Sequence, residues 1–65
     1  MPYVNIKLAG NTPSDKKAEL IQRVTETISD VLGKRSSATY VIIEEVNPDN
    51  WGVGGETVTE IRKRA

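Results

Sequence analysis

The absence of every Cys and every His from a chain of only 65 residues is the feature that most limits how it folds. A chain this short hides only about 60% of the surface that its unfolded form exposes. Below roughly 70–80 residues a fold is usually reinforced by disulfides, by a bound metal or by partner subunits. Disulfides are impossible here, and the usual zinc ligand sets are missing. No loop gathers the Asp and Glu side chains that a calcium site needs. Self-association into a homo-oligomer is the reinforcement that remains, and no metal is expected. The length leaves room for one domain, residues 1–65.

Charge narrows the partners. Nine Lys and Arg balance nine Asp and Glu, and no basic stripe could track phosphates, so nucleic acid is not an expected partner. The opening Met1–Gly10 lacks the basic and then apolar regions of a signal peptide. The longest apolar run, Tyr40–Ile43, is far too short to span a bilayer. No membrane partner is expected, and the expected location is cytoplasmic.

Periodicity gives the elements. Val4, Ile6 and Leu8 alternate with Asn5 and Lys7, which predicts a half-buried strand over residues 3–8. The turn residues Ala9–Ser14 then lead into a helix, with Thr12 or Ser14 as the expected cap and Pro13 at the first helical position. Leu20, Ile21, Val24, Ile28, Val31 and Leu32 form one apolar stripe, which predicts a helix over 15–32 closed by Gly33. A second strand is predicted over 39–46. There Val41 and Ile43 face one side while Tyr40 and Ile42 face the other, and one short helix can cover only one of them. Strand, helix and strand make a βαβ unit with parallel strands. Two such strands are too small a sheet to stand alone, so a dimer pooling four strands under two helices is expected. The fold class is therefore α/β (α+β): a βαβ protomer followed by a hairpin in the glycine-rich segment Trp51–Gly55 and one or two helical turns over 57–63.

The usual catalytic residues are nearly absent. There is no thiol nucleophile and no imidazole base. The segment Trp51–Glu56 lacks the spacing of a phosphate-binding loop. Glu44 and Glu45 are adjacent on a strand and point to opposite faces, so they are expected to be solvated or salt-bridged rather than to form an acid–base pair. Pro2 stands out. If Met1 is removed, Pro2 exposes a secondary amine at the start of a strand. An α-amino group titrates near about 7.7–8.0, a proline amine is intrinsically more basic, and burial or a nearby cation lowers it. Such an amine is a candidate general base in a chain without His.

The whole pattern resembles the 4-oxalocrotonate tautomerase (2-hydroxymuconate tautomerase) family. The likeness rests on Met1-Pro2-Tyr3-Val4-Asn5-Ile6-Lys7 opening into a strand, Leu20-Ile21 in the helix, Val41-Ile42-Ile43-Glu44-Glu45, and Asn50-Trp51-Gly52-Val53-Gly54-Gly55-Glu56. It extends over nearly the whole chain. It implies a βαβ protomer, dimers, and commonly a hexamer of three dimers. It also implies an isomerase that moves a proton between an enol oxygen and carbon without a metal or organic cofactor, with Pro2 as the base and a small enol or keto acid such as 2-hydroxymuconate as substrate. Trp51 matches the family's active-site aromatic residue. The chain departs from the family at two arginines that hold a dicarboxylate substrate, where it has Thr12 and Tyr40. Neither replaces a guanidinium fork. Arg35 or Lys34 from a neighbouring subunit, or the Tyr40 hydroxyl acting on the developing enolate oxygen, are the candidate substitutes. A substrate without a second carboxylate is the third explanation. The candidate site is thus Pro2 as catalytic residue, with Trp51, Tyr40, Arg35 and Thr12 as substrate contacts. A non-catalytic oligomeric binding or assembly protein, and a dehalogenase- or decarboxylase-like relative, are the alternatives.

Overall fold

The computed structural model describes all 65 residues. Strand β1 (Tyr3–Ala9) leads through a short loop into helix α1 (Ser14–Leu32). A 3-10 turn (Ser36–Ala38) precedes strand β2 (Tyr40–Val46), and a second (Pro48–Asn50) follows it. Strands β3 (Gly52–Val53) and β4 (Glu56–Thr57) and helix α2 (Val58–Lys63) end the chain. The α+β class, the strand–helix–strand order, the hairpin and the last helix agree with the sequence.

β1 and β2 pair in parallel, from Tyr3 opposite Tyr40 to Ala9 opposite Val46. Because side chains alternate along a strand, this register puts Val4, Ile6, Leu8, Val41, Ile43 and Glu45 on one face. Lys17 of α1 reaches Glu45, so this is the face the helix covers. The other face carries Tyr3, Asn5, Lys7, Tyr40, Ile42 and Glu44, and nothing in the protomer covers it. Asn5 and Lys7 both donate to Glu44, at 2.7 and 2.9 Å.

Helix α1 ends as expected, with Gly33 left-handed (φ 66°) and its N–H bonded to the Ser29 carbonyl. Its start corrects the sequence reading. Pro13 occupies the cap position, Ser14 is the first helical residue, and no side chain caps the helix. Lys16 and Lys17 donate their N–H groups to the Pro13 carbonyl, each at 3.1 Å. The reason lies across the fold, where the Glu45 carboxylate accepts the Thr12 N–H at 2.7 Å and orients this loop from the end of β2. In α2 the capping is by side chain, with the Thr57 hydroxyl accepting the Glu60 N–H at 3.1 Å. The β3–β4 turn uses Gly54 (φ 60°) and Gly55 (φ 90°). A two-residue turn of this hand needs positive φ at both positions, which glycine adopts without steric cost.

The protomer has no core of its own, since none of its residues is fully buried. Its surface is 4875 Å², against about 4,100 Å² for a compact monomer of this mass. Its radius of gyration is 14.9 Å, against about 11 Å for a compact chain of this length. Tyr3, Tyr40 and Ile42 remain 64%, 52% and 42% exposed on the open sheet face. Such a slab hides one side of its sheet and leaves apolar groups on the other in water. No helix is long and apolar enough to cross a membrane.

Candidate active site

Parallel pairing fixes which candidate residues are neighbours. Both strands begin at the same edge of the sheet. Pro2 lies just before β1 and Tyr40 opens β2, and the Tyr40 N–H donates to the Pro2 carbonyl at 2.9 Å. The sheet ladder thus begins one residue early and fixes Pro2 at this edge, where it is half-buried. Arg35 lies at the same edge, capping the 3-10 turn that enters β2. Its carbonyl is held by the Ala38 N–H at 3.0 Å and by the Thr39 hydroxyl at 3.2 Å. Its side chain is exposed and has no carboxylate partner.

Thr12 and Trp51 lie at the opposite edge, in the loops that leave β1 and β2. The Trp51 N–H donates to the Pro48 carbonyl at 3.3 Å, and its carbonyl accepts from Val58 at 2.8 Å. These bonds tie the only Trp of the chain to the root of the hairpin. A seven-residue strand separates the two edges, a distance of about 20 Å. The protomer therefore places Pro2, Tyr40 and Arg35 at one end of the paired strands and Thr12 and Trp51 in loops at the other, and it does not unite the two groups. The sequence already contained this division, because both strand starts precede the pairing and both loops follow it.

The far edge holds an open concavity of about 330 Å³ between the two loops, lined by Gly10, Asn11, Glu45, Val46, Asn47 and Pro48. Its charge is organised by Glu45. The Lys17 ammonium donates to Glu45 at 2.6 Å and the Thr12 N–H at 2.7 Å. Together, Lys17 first, they hold the Glu45 carboxyl below the usual carboxylate range. Glu44, on the open face, is lowered by its hydrogen bond to Lys7 and then by that to Asn5. The two acidic residues are thus ion-paired on opposite faces, as their parity requires. Sequence reasoning missed the Glu45–Thr12–Lys17 network, since no local pattern marks a contact between residues 28 or more positions apart.

Comparison with known proteins places this geometry in context. The family model described as "Tautomerase enzyme" matches residues 2–61. A probable tautomerase, K2, of Dickeya dadantii is 48% identical over 66 aligned positions, covering 100% of this chain and 98% of that protein. The 2-hydroxymuconate tautomerase of Bacillus subtilis is 30% identical, covering 94% and 98%. Among solved structures, DmpI from Helicobacter pylori superposes with a TM-score of 0.92 at 37% identity, covering 98% and 100%. A heterohexamer 4-oxalocrotonate tautomerase from Chloroflexus aurantiacus gives 0.88 at 27% identity, covering 95% and 100%.

Proposed function

The chain belongs to the Tautomerase family, and on that premise we propose that it is an enol–keto tautomerase whose general base is the amine of Pro2, freed by removal of Met1. The substrate is a small 2-hydroxydienoate or related enol acid, with 2-hydroxymuconate the first to try. The observation that carries this is the 2.9 Å bond from the Tyr40 N–H to the Pro2 carbonyl. A base is useful only if its lone pair is held in one place, and this bond supports a fixed position for the residue-2 nitrogen at the sheet edge.

The reaction needs only a proton shuttle. The neutral amine takes the enol O–H proton, the O–H electron pair becomes C=O, and the double bond shifts along the chain. The ammonium then returns a proton to carbon. Nothing is oxidised or reduced. Tyr40, whose backbone binds Pro2, serves as hydrogen-bond donor to the developing enolate oxygen. Trp51 supplies an apolar wall that excludes water and favours the uncharged amine. Arg35 and Thr12 contact the substrate.

These roles require more than one subunit, because Pro2 and Trp51 lie beyond opposite ends of strands about 20 Å long in the same protomer. We infer a homo-oligomer of dimers up to a hexamer, in which the Pro2 edge of one protomer meets the Trp51 edge of another. The coreless protomer and the heterohexameric relative support it.

The test is ultraviolet-monitored ketonisation of 2-hydroxymuconate by Met1-free protein and by Pro2→Ala. Proton transfer by a positioned base is worth about 10²–10⁴-fold, so the variant should lose at least a hundredfold in kcat. Equal rates for the two proteins would remove Pro2 from the mechanism. Binding of enol acids by a protein that never accelerates the reaction would favour an assembly or binding role.

A further inference from the structure

If the substrate is an enol acid with two carboxylates, Arg35 can meet one at the Pro2 edge, but the second, at the Thr12–Trp51 edge, needs its own cation, and Thr12 is not one. The basic side chains near the Thr12–Trp51 edge are mostly occupied. Lys17 is paired with Glu45, Lys63 with Glu60, and Arg64 with Glu56. Arg62, on α2, has no carboxylate partner. Its Nη2 donates to the Ala9 carbonyl at 2.8 Å, linking the C-terminal helix to the end of β1. A Cβ added to Gly10 would lie 3.2 Å from Arg62 Nη1 and 4.0 Å from Pro48 Cγ. The guanidinium therefore packs against Gly10, and Gly10 and Pro48 both line the concavity between the loops.

From this geometry we propose that Arg62, beside the concavity, binds the second, distal carboxylate of the substrate and so selects enol acids that carry one. The inference rests on the tautomerase reading above. A guanidinium carries five N–H donors in a rigid fork. One of Arg62's is spent on Ala9, and that bond holds the group in place. The remainder are free to bind a carboxylate with two parallel hydrogen bonds, the arrangement to which Arg is suited and Lys is not. Glu45 does not compete for it, since its oxygens are taken by Lys17 and Thr12. The bare Gly10 backbone permits the close approach. The selecting charge is thus delivered from α2 rather than from the loop before α1 or from the start of β2.

The decisive test measures binding apart from catalysis. Adipate is a six-carbon dicarboxylate that no base can tautomerise, and hexanoate is its one-carboxylate counterpart. Calorimetric titration of the assembled protein should show adipate binding more tightly than hexanoate. In Arg62→Gln the Kd for adipate should rise at least tenfold while that for hexanoate changes little. In Arg62→Lys the loss should be intermediate. Pro2→Ala should leave adipate binding intact, so failure of the base assignment is distinguishable from failure of this one. With 2-hydroxymuconate, Arg62→Gln should raise KM with a much smaller change in kcat. Unchanged adipate affinity in Arg62→Gln would overturn the proposal, as would equal binding of the two acids by the unaltered protein. If Arg62→Gln weakens the oligomer in sedimentation, Arg62→Lys, which keeps the charge, is the deciding variant. Full adipate affinity there, with an intact oligomer, would overturn the proposal that the guanidinium fork of Arg62 selects the second carboxylate.

Discussion

Replacing Gly10 by Ala tests the far-edge geometry through two consequences that separate cleanly. Gly10 adopts φ 117°, where a residue with a Cβ is strained by about 1–3 kcal/mol. The smaller unfolded-state entropy of Ala offsets about 0.4–1 kcal/mol of this, leaving a net destabilisation of about 1.3 kcal/mol at the middle of both ranges. In a domain of this size each kcal/mol lowers Tm by about 4–8 °C, so Gly10→Ala should melt about 5–10 °C below the unaltered protein. The new Cβ also meets Arg62 Nη1 at 3.2 Å. The guanidinium tip must shift by a few tenths of an ångström, away from the position in which it binds Ala9. The control is Gly33→Ala, where φ is 66° and nothing lies within 4 Å of the added carbon. It should lose comparable stability and keep its affinity for adipate, whereas Gly10→Ala should lose affinity as well. Because assembly makes Tm depend on concentration, circular-dichroism melts must be run at matched protomer concentrations. A Gly10→Ala protein that melts with the unaltered one would refute the strain argument. Equal adipate affinities in the two glycine variants would refute the link to Arg62.

Two further outcomes follow from the charges and from the open face. Glu45 and Glu44 have carboxyls lowered below the ordinary 4.5, so their pairs contribute stability above that value and lose it as pH falls through the lowered one. Urea midpoints should therefore drop below about pH 4.5, and Glu45→Gln should be less stable at pH 7 but show a shallower acid decline; parallel curves for the two proteins would contradict this. Ile42→Asp places a charge among Tyr3 and Tyr40 on the uncovered sheet face, so sedimentation velocity should show a shift toward the 7.2 kDa protomer with activity falling in step. An intact, active oligomer in Ile42→Asp would show that this face is not the one that associates.

Local periodicity made the two long strands and α1 legible, because one apolar face under one helix imposes an alternation of two on the strands and a stripe on the helix. Parity alone separated Glu44 from Glu45. The apolar residues on both sides of β2 announced that the protomer would leave a face uncovered, and Tyr40 and Ile42 are exposed as that pattern requires. The start of α1 is not legible in this way because cap preferences consider only the residues next to a helix. Here a carboxylate 33 positions away holds the Thr12 N–H and sets the path of the loop.

The candidate site shows the same limit more sharply. Pro2 and Tyr40 could be placed together from strand order, and Trp51 could be placed away from them by the same rule. Arg62 could not be found in this way, since its bond to Ala9 spans 53 positions and the sequence around it, Thr59–Arg64, reads as a charged terminal helix. What marks it is a mismatch visible only in three dimensions. A cation is tethered by a backbone carbonyl with no acid beside it, and it is pressed against a glycine that leaves room for it. A surface arginine with no task would be free to pair with any nearby carboxylate or to extend into water. One held short of both is set for an anion that arrives from outside the chain, and its place at the edge opposite Pro2 makes binding and proton transfer depend on different parts of the protomer.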